Sequence, residues 1–140
     1  MGRDDVSSVV LDTQSLIWLL ETSEALGPTA RGLADEALSR NALFVSAFSF
    51  WEVAMLATRG KITIDISPGL WREKVLGHGI LERPMTGEIG VASVLLDDFH
   101  PDPADRIITA TALITNALLI TSDRKILGWN GPLARQDARQ

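Results

Sequence analysis

Cysteine is absent from the 140-residue chain. That removes disulfide scaffolds, thiolate zinc sites, iron–sulfur clusters and cysteine nucleophiles together, and a reducing compartment suits such a chain. Membrane-length apolar runs are missing as well. Ser, Thr, Asn or Gly interrupts each run before the ~20 residues that a span requires. The start, Met1-Gly2-Arg3-Asp4-Asp5, is acidic where a secretory signal is basic, and Val6 stands where a myristoylation signal has Ser or Thr. The chain therefore reads as cytoplasmic, with no membrane partner. Positive charge is scarce: 13 Lys and Arg against 18 Asp and Glu leave a net charge of −5. This argues against a passive, charge-driven nucleic-acid binder, though not against an enzyme that meets nucleic acid through bound cations. There is no glycine-rich phosphate loop and no Gly-x-Ser-x-Gly elbow, and no repeat, low-complexity tract or linker divides the chain.

What is present suits one domain spanning residues 1–140. Hydrophobic residues at 46% and charged residues at 22% are ordinary for a globular protein. A domain of this length buries roughly 70% of its unfolded surface, enough to stand without staples. Val6–Leu11, Ala42–Val45, Gly79–Pro84 and Leu118–Thr121 read as short buried strands. Between them lie helical patterns: Ser15–Glu21, Pro28 to about Arg40, Ser49–Arg59 closed by Gly60, a segment opening at Pro68, Thr86–Phe99, Asp102 to about Asn116, and Arg124–Trp129. Alternation of this kind predicts an α/β fold with a central parallel sheet covered by helices. Its core is expected over residues 6–129, with Gln136–Gln140 as a loose polar tail.

Chemistry is marked by isolated acids. Asp12 is the only charge between Val6 and Leu20, and Glu52 the only one between Asn41 and Thr58. From Ile107 to Asp123 the only charge is Asp123, and Asp105 leads into that stretch. A carboxylate in such apolar surroundings is either desolvated or stands where the core opens. Asp12 and Asp123 fall at the C-terminal ends of expected parallel strands, the edge where open α/β sheets bind ligands. Glu52 and Asp105 fall in what read as the first turns of the following helices, where the dipole favours negative charge. Two like charges ~4 Å apart repel by roughly 4 kcal/mol at an effective dielectric of 20. A convergent set must therefore take up protons or a divalent cation. Oxygen ligands without thiolates select Mg²⁺ or Mn²⁺.

Each acid also fits a helix cap. Asp12 can cap the Ser15 helix, Ser49-x-x-Glu52 matches a capping box, Asp102 with Asp105 is an ordinary acidic helix start, and Asp123 suits a turn. The joint pattern favours a metal site. His78 and His100 read as structural or solvated loop histidines, and Trp18, Trp51, Trp71 and Trp129 as core or interface residues.

Val10-Leu11-Asp12-Thr13, Ser49-Phe50-Trp51-Glu52-Val53-Ala54-Met55-Leu56, Pro103-Ala104-Asp105-Arg106 with the run to Leu113, and Thr121-Ser122-Asp123-Arg124-Lys125-Ile126-Leu127 resemble the four signature blocks of PIN-domain nucleases. They are most like those of VapC-type toxins, in family order from about Val6 to Trp129. The resemblance implies a parallel five-stranded sheet and Mg²⁺- or Mn²⁺-dependent cleavage of RNA. Asp12, Glu52, Asp105 and Asp123 would then be the catalytic and metal-binding acids. It also implies a supporting hydroxyl at Thr13 and an extra acid at Asp102, while Gln14 receives no role. Arg106, Arg124 and Lys125 flank the acids and could hold phosphate, although solvated cations are the more usual outcome. The family further implies a homodimer restrained by an antitoxin whose helical tail covers the site, with Leu16–Leu20 and Phe48–Leu56 as candidate surfaces. Two alternatives stay open: a PIN nuclease of RNA processing or structured DNA without an antitoxin, and a non-catalytic Mg²⁺-binding regulatory module.

Overall fold

The computed structural model describes residues 8–140; Val6, Ser7 and the acidic start lie outside the described residues. Strand β1 (Ser8–Leu11) is followed by α1 (Thr13–Leu20), α2 (Pro28–Ser39), β2 (Leu43–Ser46), α3 (Ala47–Thr58), α4 (Pro68–Gly77) and β3 (Leu81–Arg83). The chain continues through α5 (Gly87–Val94), α6 (Pro103–Ile114), β4 (Ala117–Thr121), α7 (Arg124–Leu127) and β5 (Arg135–Asp137). The strands form one sheet in the order β3-β2-β1-β4-β5, and every pairing is parallel. The chain builds outward from β1 through β2 to β3, then crosses back to lay β4 on the other side of β1. The C-terminal ends of β1 and β4 therefore form the point where strand order reverses, the natural crevice of an open α/β sheet.

Alternation along each strand sends side chains to two helical layers. Val9, Leu11, Leu43, Val45 and Ile120 pack with Leu16, Val53, Trp71 and Val75, and Ala30, Ala34 and Ala37 let α2 approach closely. On the opposite face Val10 and Leu119 pack with Ile108, Ala112, Ile126, Phe99 and Trp129. Asn41 and Asn116 have left-handed φ of 59° and 53° just before β2 and β4, a conformation Asn tolerates after a helix end. Gly60, with φ 71°, closes α3 as its position after the helix predicts. Among the described residues no helix is long and apolar enough to cross a membrane.

Several boundaries differ from the sequence reading. Helix α3 begins at Ala47 with Ser46 as its cap, because the Ser46 hydroxyl accepts from the Phe48 amide. Ser49 is consequently inside the helix, and no capping box with Glu52 forms. The expected Thr86–Phe99 helix stops at Val94; Asp98 beyond it takes a left-handed φ of 55°, and the carbonyl of Asp97 accepts from Trp129 Nε1 instead. Of the tryptophans, Trp71 and Trp129 are buried and Trp18 half-buried, whereas Trp51 is 56% exposed, stacked on Phe48 at 4.9 Å.

The largest correction concerns Gln136–Gln140, expected as a loose tail. Gln136 and Asp137 lie in β5, paired with β4, and Ala138 is fully buried. Polar side chains on an edge strand carry no apolar alternation, so the sequence pattern was silent there. Beyond β5 the backbone docks on the α2 entrance: the Gly27 amide donates to Ala138 O at 2.8 Å and Thr29 to Gln140 O at 2.7 Å. A Cβ on Gly27 would stand 2.3 Å from the Gln140 carbonyl carbon. Gly27→Ala is therefore expected to lower stability by about 1–3 kcal/mol through backbone overpacking, read as a lower thermal midpoint. The same change at solvent-facing Gly32, where nothing lies within 4 Å, should be neutral or stabilising.

Candidate functional site

The last turn of each central strand delivers one acid. The Asp12 amide, just past β1, donates to Ile120 O on β4 at 3.1 Å, so the two strand ends are tied together. Asp12 caps α1: Oδ1 accepts from the Ser15 amide at 2.8 Å and Oδ2 from Thr121 Oγ1 at 2.6 Å. Thr121 Oγ1 in turn accepts the Asp123 amide at 3.0 Å, and Asp123 Oδ1 caps α7 by accepting from the Lys125 and Ile126 amides. Asp105 stands in the first turn of α6, whose N-cap is Asp102 through an Oδ1 contact to the Asp105 amide. Glu52 arrives from the second turn of α3, one turn later than the sequence suggests, and accepts from Thr13 Oγ1 at 2.6 Å. Ser49 Oγ lies 2.9 Å from the same Thr13 oxygen.

Capping and convergence thus coexist. Asp12, Thr13, Glu52, Asp105 and Asp123 line one pocket, with Gln14, Ile108, Ser122, Arg124 and Arg139 completing its wall. Asp102 does not line it. It is exposed, yet its charge still bears on both Glu52 and Asp105. Arg106, a candidate phosphate contact, is not in the pocket. Its guanidinium donates to Phe99 O at 2.6 Å, His100 O at 2.9 Å and Ser93 O at 3.0 Å, fastening the α5–α6 connection. Three convergent backbone carbonyls match the fork of the guanidinium and hold it along the α5–α6 connection, away from the pocket.

Two pocket neighbours escaped the sequence reading. His100 reads as an isolated histidine before proline, but the α6 approach brings its Nε2 to 3.3 Å from Asp105 Oδ2 and 3.9 Å from Asp123 Oδ1. Its short separation from Asp105 along the chain was the available signal. Arg139 belongs to the segment expected to be loose, and only the docking of β5 places it at the acids.

Electrostatics follow from this crowding. Burial pushes the Asp12 carboxyl up, against the hydrogen bonds from Ser15 and Thr121 that favour its charge. Burial also raises Glu52, opposed by the Thr13 hydroxyl and assisted by the charges of Asp102 and Asp12. Asp105 is pushed up to about 8, first by burial and then by Asp123, Asp102, Asp12 and Glu52. A pocket that draws protons onto its carboxylates is one that a divalent cation can occupy in their place. The donors of one group suit such an ion: His100, Asp105 and Asp123 offer ligand atoms that lie within 4.8 Å of one another, and Asp12 and Glu52 line the pocket that Asp105 and Asp123 share.

These features define a parallel α/β domain with a carboxylate pocket at its strand-order reversal. The PIN domain family model matches residues 9–127, and the chain belongs to that family. Ribonuclease VapC22 of Mycobacterium tuberculosis (strain ATCC 25618 / H37Rv) is 29% identical over 128 residues, covering 91% of this chain and 95% of that protein. Among solved structures, VapBC2 from Rickettsia felis bound to a DNA fragment from their promoter superposes with a TM-score of 0.68 at 11% identity, covering 91% of this chain and 96% of that one. A toxin–antitoxin complex from Klebsiella pneumoniae gives a TM-score of 0.58 at 22% identity, covering 88% and 93%.

Two outcomes are expected. A carboxyl raised on folding binds its proton more tightly in the native state, so its contribution is fully present below the unfolded value and lost as pH rises through the folded one. For Asp105 that window runs from 3.8 to about 8, and Asp12 and Glu52 act in the same direction. In EDTA the thermal midpoint should therefore fall across this window, and Asp105→Asn should flatten the fall. Separately, Arg106→Ala and Arg106→Lys should each cost about 2–3 kcal/mol in denaturant unfolding, because Lys cannot span the carbonyls that the guanidinium fork joins.

Proposed function

We propose that the protein is a divalent-metal-dependent endoribonuclease and the toxin of a toxin–antitoxin pair, acting in the cytoplasm. The observation that carries the reading is the convergence of Asp12, Glu52, Asp105 and Asp123 in one pocket. The likeness to a protein named a ribonuclease supports the substrate class, and the fold shared with toxin–antitoxin complexes supports the partner.

Asp12, Asp105 and Asp123 would hold Mg²⁺, or Mn²⁺ in its place. When bound, such an ion neutralises phosphate charge and lowers the pKa of a water that attacks phosphorus. Asp12 is rigid for this task, since both of its oxygens already accept hydrogen bonds from the protein. Glu52 is fixed by Thr13 at 2.6 Å, and its raised proton affinity suits it to take the proton from the attacking water. Arg124 and Arg139 stand on the pocket wall and supply positive charge for the backbone of a polyanion, which the chain's net −5 otherwise repels. No side-chain nucleophile is required.

Homodimer formation and antitoxin binding belong to the same proposal. Val91, Val94 and Leu95 at the outer face of α5 are 62%, 74% and 69% exposed, apolar surface that a partner would cover.

The test is cleavage of a mixed RNA substrate by the purified chain with Mg²⁺, with Mn²⁺ and with EDTA. Cleavage should require the metal. Asp12→Asn should lower it on the order of a hundredfold or more while stability stays within ~1 kcal/mol, since Asn keeps an oxygen for the Ser15 amide. Undiminished cleavage in EDTA, or by that variant, overturns the mechanism.

A further inference from the structure

His100 stands against two of the pocket acids, Asp105 and Asp123, without an evident task. Its side chain is 14% exposed, and its Nε2 is buried with no hydrogen-bond partner. The 3.3 Å approach to Asp105 Oδ2 is within reach of a hydrogen bond, but the nitrogen is not aligned for one. A buried ring nitrogen left unpaired costs stability unless something else meets it. The ring is also held in place. It stacks on Phe99 at 4.7 Å with a 21° interplanar angle, and Arg106 binds the carbonyls of both residues. Side chain and backbone are thus both immobilised beside two carboxylates.

The distances have a simple reading. Donors bound at ~2.1 Å on adjacent corners of an octahedron stand about 3.0 Å apart. Nε2 lies 3.3 Å from an oxygen of Asp105 and 3.9 Å from one of Asp123, all three ligand atoms falling within 4.8 Å of one another. A modest contraction brings them onto one ion.

We infer that His100 is a metal ligand, adding an imidazole nitrogen to the oxygens of Asp105 and Asp123 and tilting the site toward Mn²⁺ over Mg²⁺. This rests on the metal-dependent reading above. An all-oxygen set gives Mg²⁺ its preferred surroundings, whereas a nitrogen donor contributes more to first-row transition ions. The imidazole also explains why the Arg106 clamp is built against this stretch of backbone: the clamp fixes the position of a ligand.

Metal binding itself supplies the test, apart from catalysis. Mn²⁺ titrated into the purified chain is followed by electron paramagnetic resonance, and Mg²⁺ by competition against it. Bound Mn²⁺ should show nitrogen hyperfine coupling in pulsed spectra. His100→Ala should abolish that coupling and weaken Mn²⁺ binding by about tenfold or more, with Mg²⁺ binding changed by less than about threefold. His100→Gln retains bulk and offers an oxygen, so it should still bind Mn²⁺ without the coupling even if the alanine variant folds poorly. Mn²⁺ bound by the unaltered chain with no nitrogen coupling overturns the assignment and leaves the acidic metal site standing. Failure of the unaltered chain to bind either ion overturns the metal reading, and His100 with it.

Discussion

Repulsion among carboxylates at the ends of β1 and β4 is the constraint around which this molecule is arranged. Nothing apolar could hold Asp12, Glu52, Asp105 and Asp123 together, because each gains by separating into water. The fold opposes that tendency with oriented donors. The Ser15 amide and Thr121 hydroxyl meet both oxygens of Asp12, the Lys125 and Ile126 amides meet Asp123, and the Thr13 hydroxyl meets Glu52. Three of the acids thereby keep partners that favour their charged form. Asp105 instead stands with the His100 imidazole 3.3 Å from its Oδ2, and burial together with the charges of Asp123, Asp102, Asp12 and Glu52 pushes its carboxyl up to about 8.

Thr121 links the two halves of this arrangement. Its hydroxyl donates to Asp12 and accepts from the Asp123 amide, so one side chain at the end of β4 sets both the acid after β1 and the acid after β4. Arg106 performs a comparable task from outside the pocket. By gathering the carbonyls of Ser93, Phe99 and His100 it fixes the irregular connection between α5 and α6, and thus the approach of His100 and of Asp105 to the other acids. A residue adjacent in sequence to a pocket acid contributes through the backbone it organises.

Much of this was legible in the linear pattern. Asp12, Glu52 and Asp123 stand out because each is the lone charge in a stretch otherwise built for burial, and the strand–helix alternation around them foretells a parallel sheet with its ligand edge at their level. Helix starts with strong local chemistry, such as Asp102-Pro103, were legible for the same reason: a cap and a fixed proline φ act within a few residues. Features decided by distant chain were not. The Ser49-x-x-Glu52 spacing imitates a capping box, yet Ser46 captures the helix start and Glu52 turns to Thr13 on another element. Arg106 has the appearance of a substrate contact until the carbonyls it binds are brought around it.

Sequence alone thus determined which segments must be buried, which carboxylates could not be left without compensation, and the family to which the blocks belong, since these depend on local composition and short-range spacing. Tertiary structure decided the edge strand β5, the docking of the C-terminal backbone on Gly27, the arrival of Arg139 at the acids and the place of His100 between Asp105 and Asp123. Those outcomes rest on contacts between residues far apart in the chain, and no local pattern of charge or hydropathy records which distant surface a polar segment will meet.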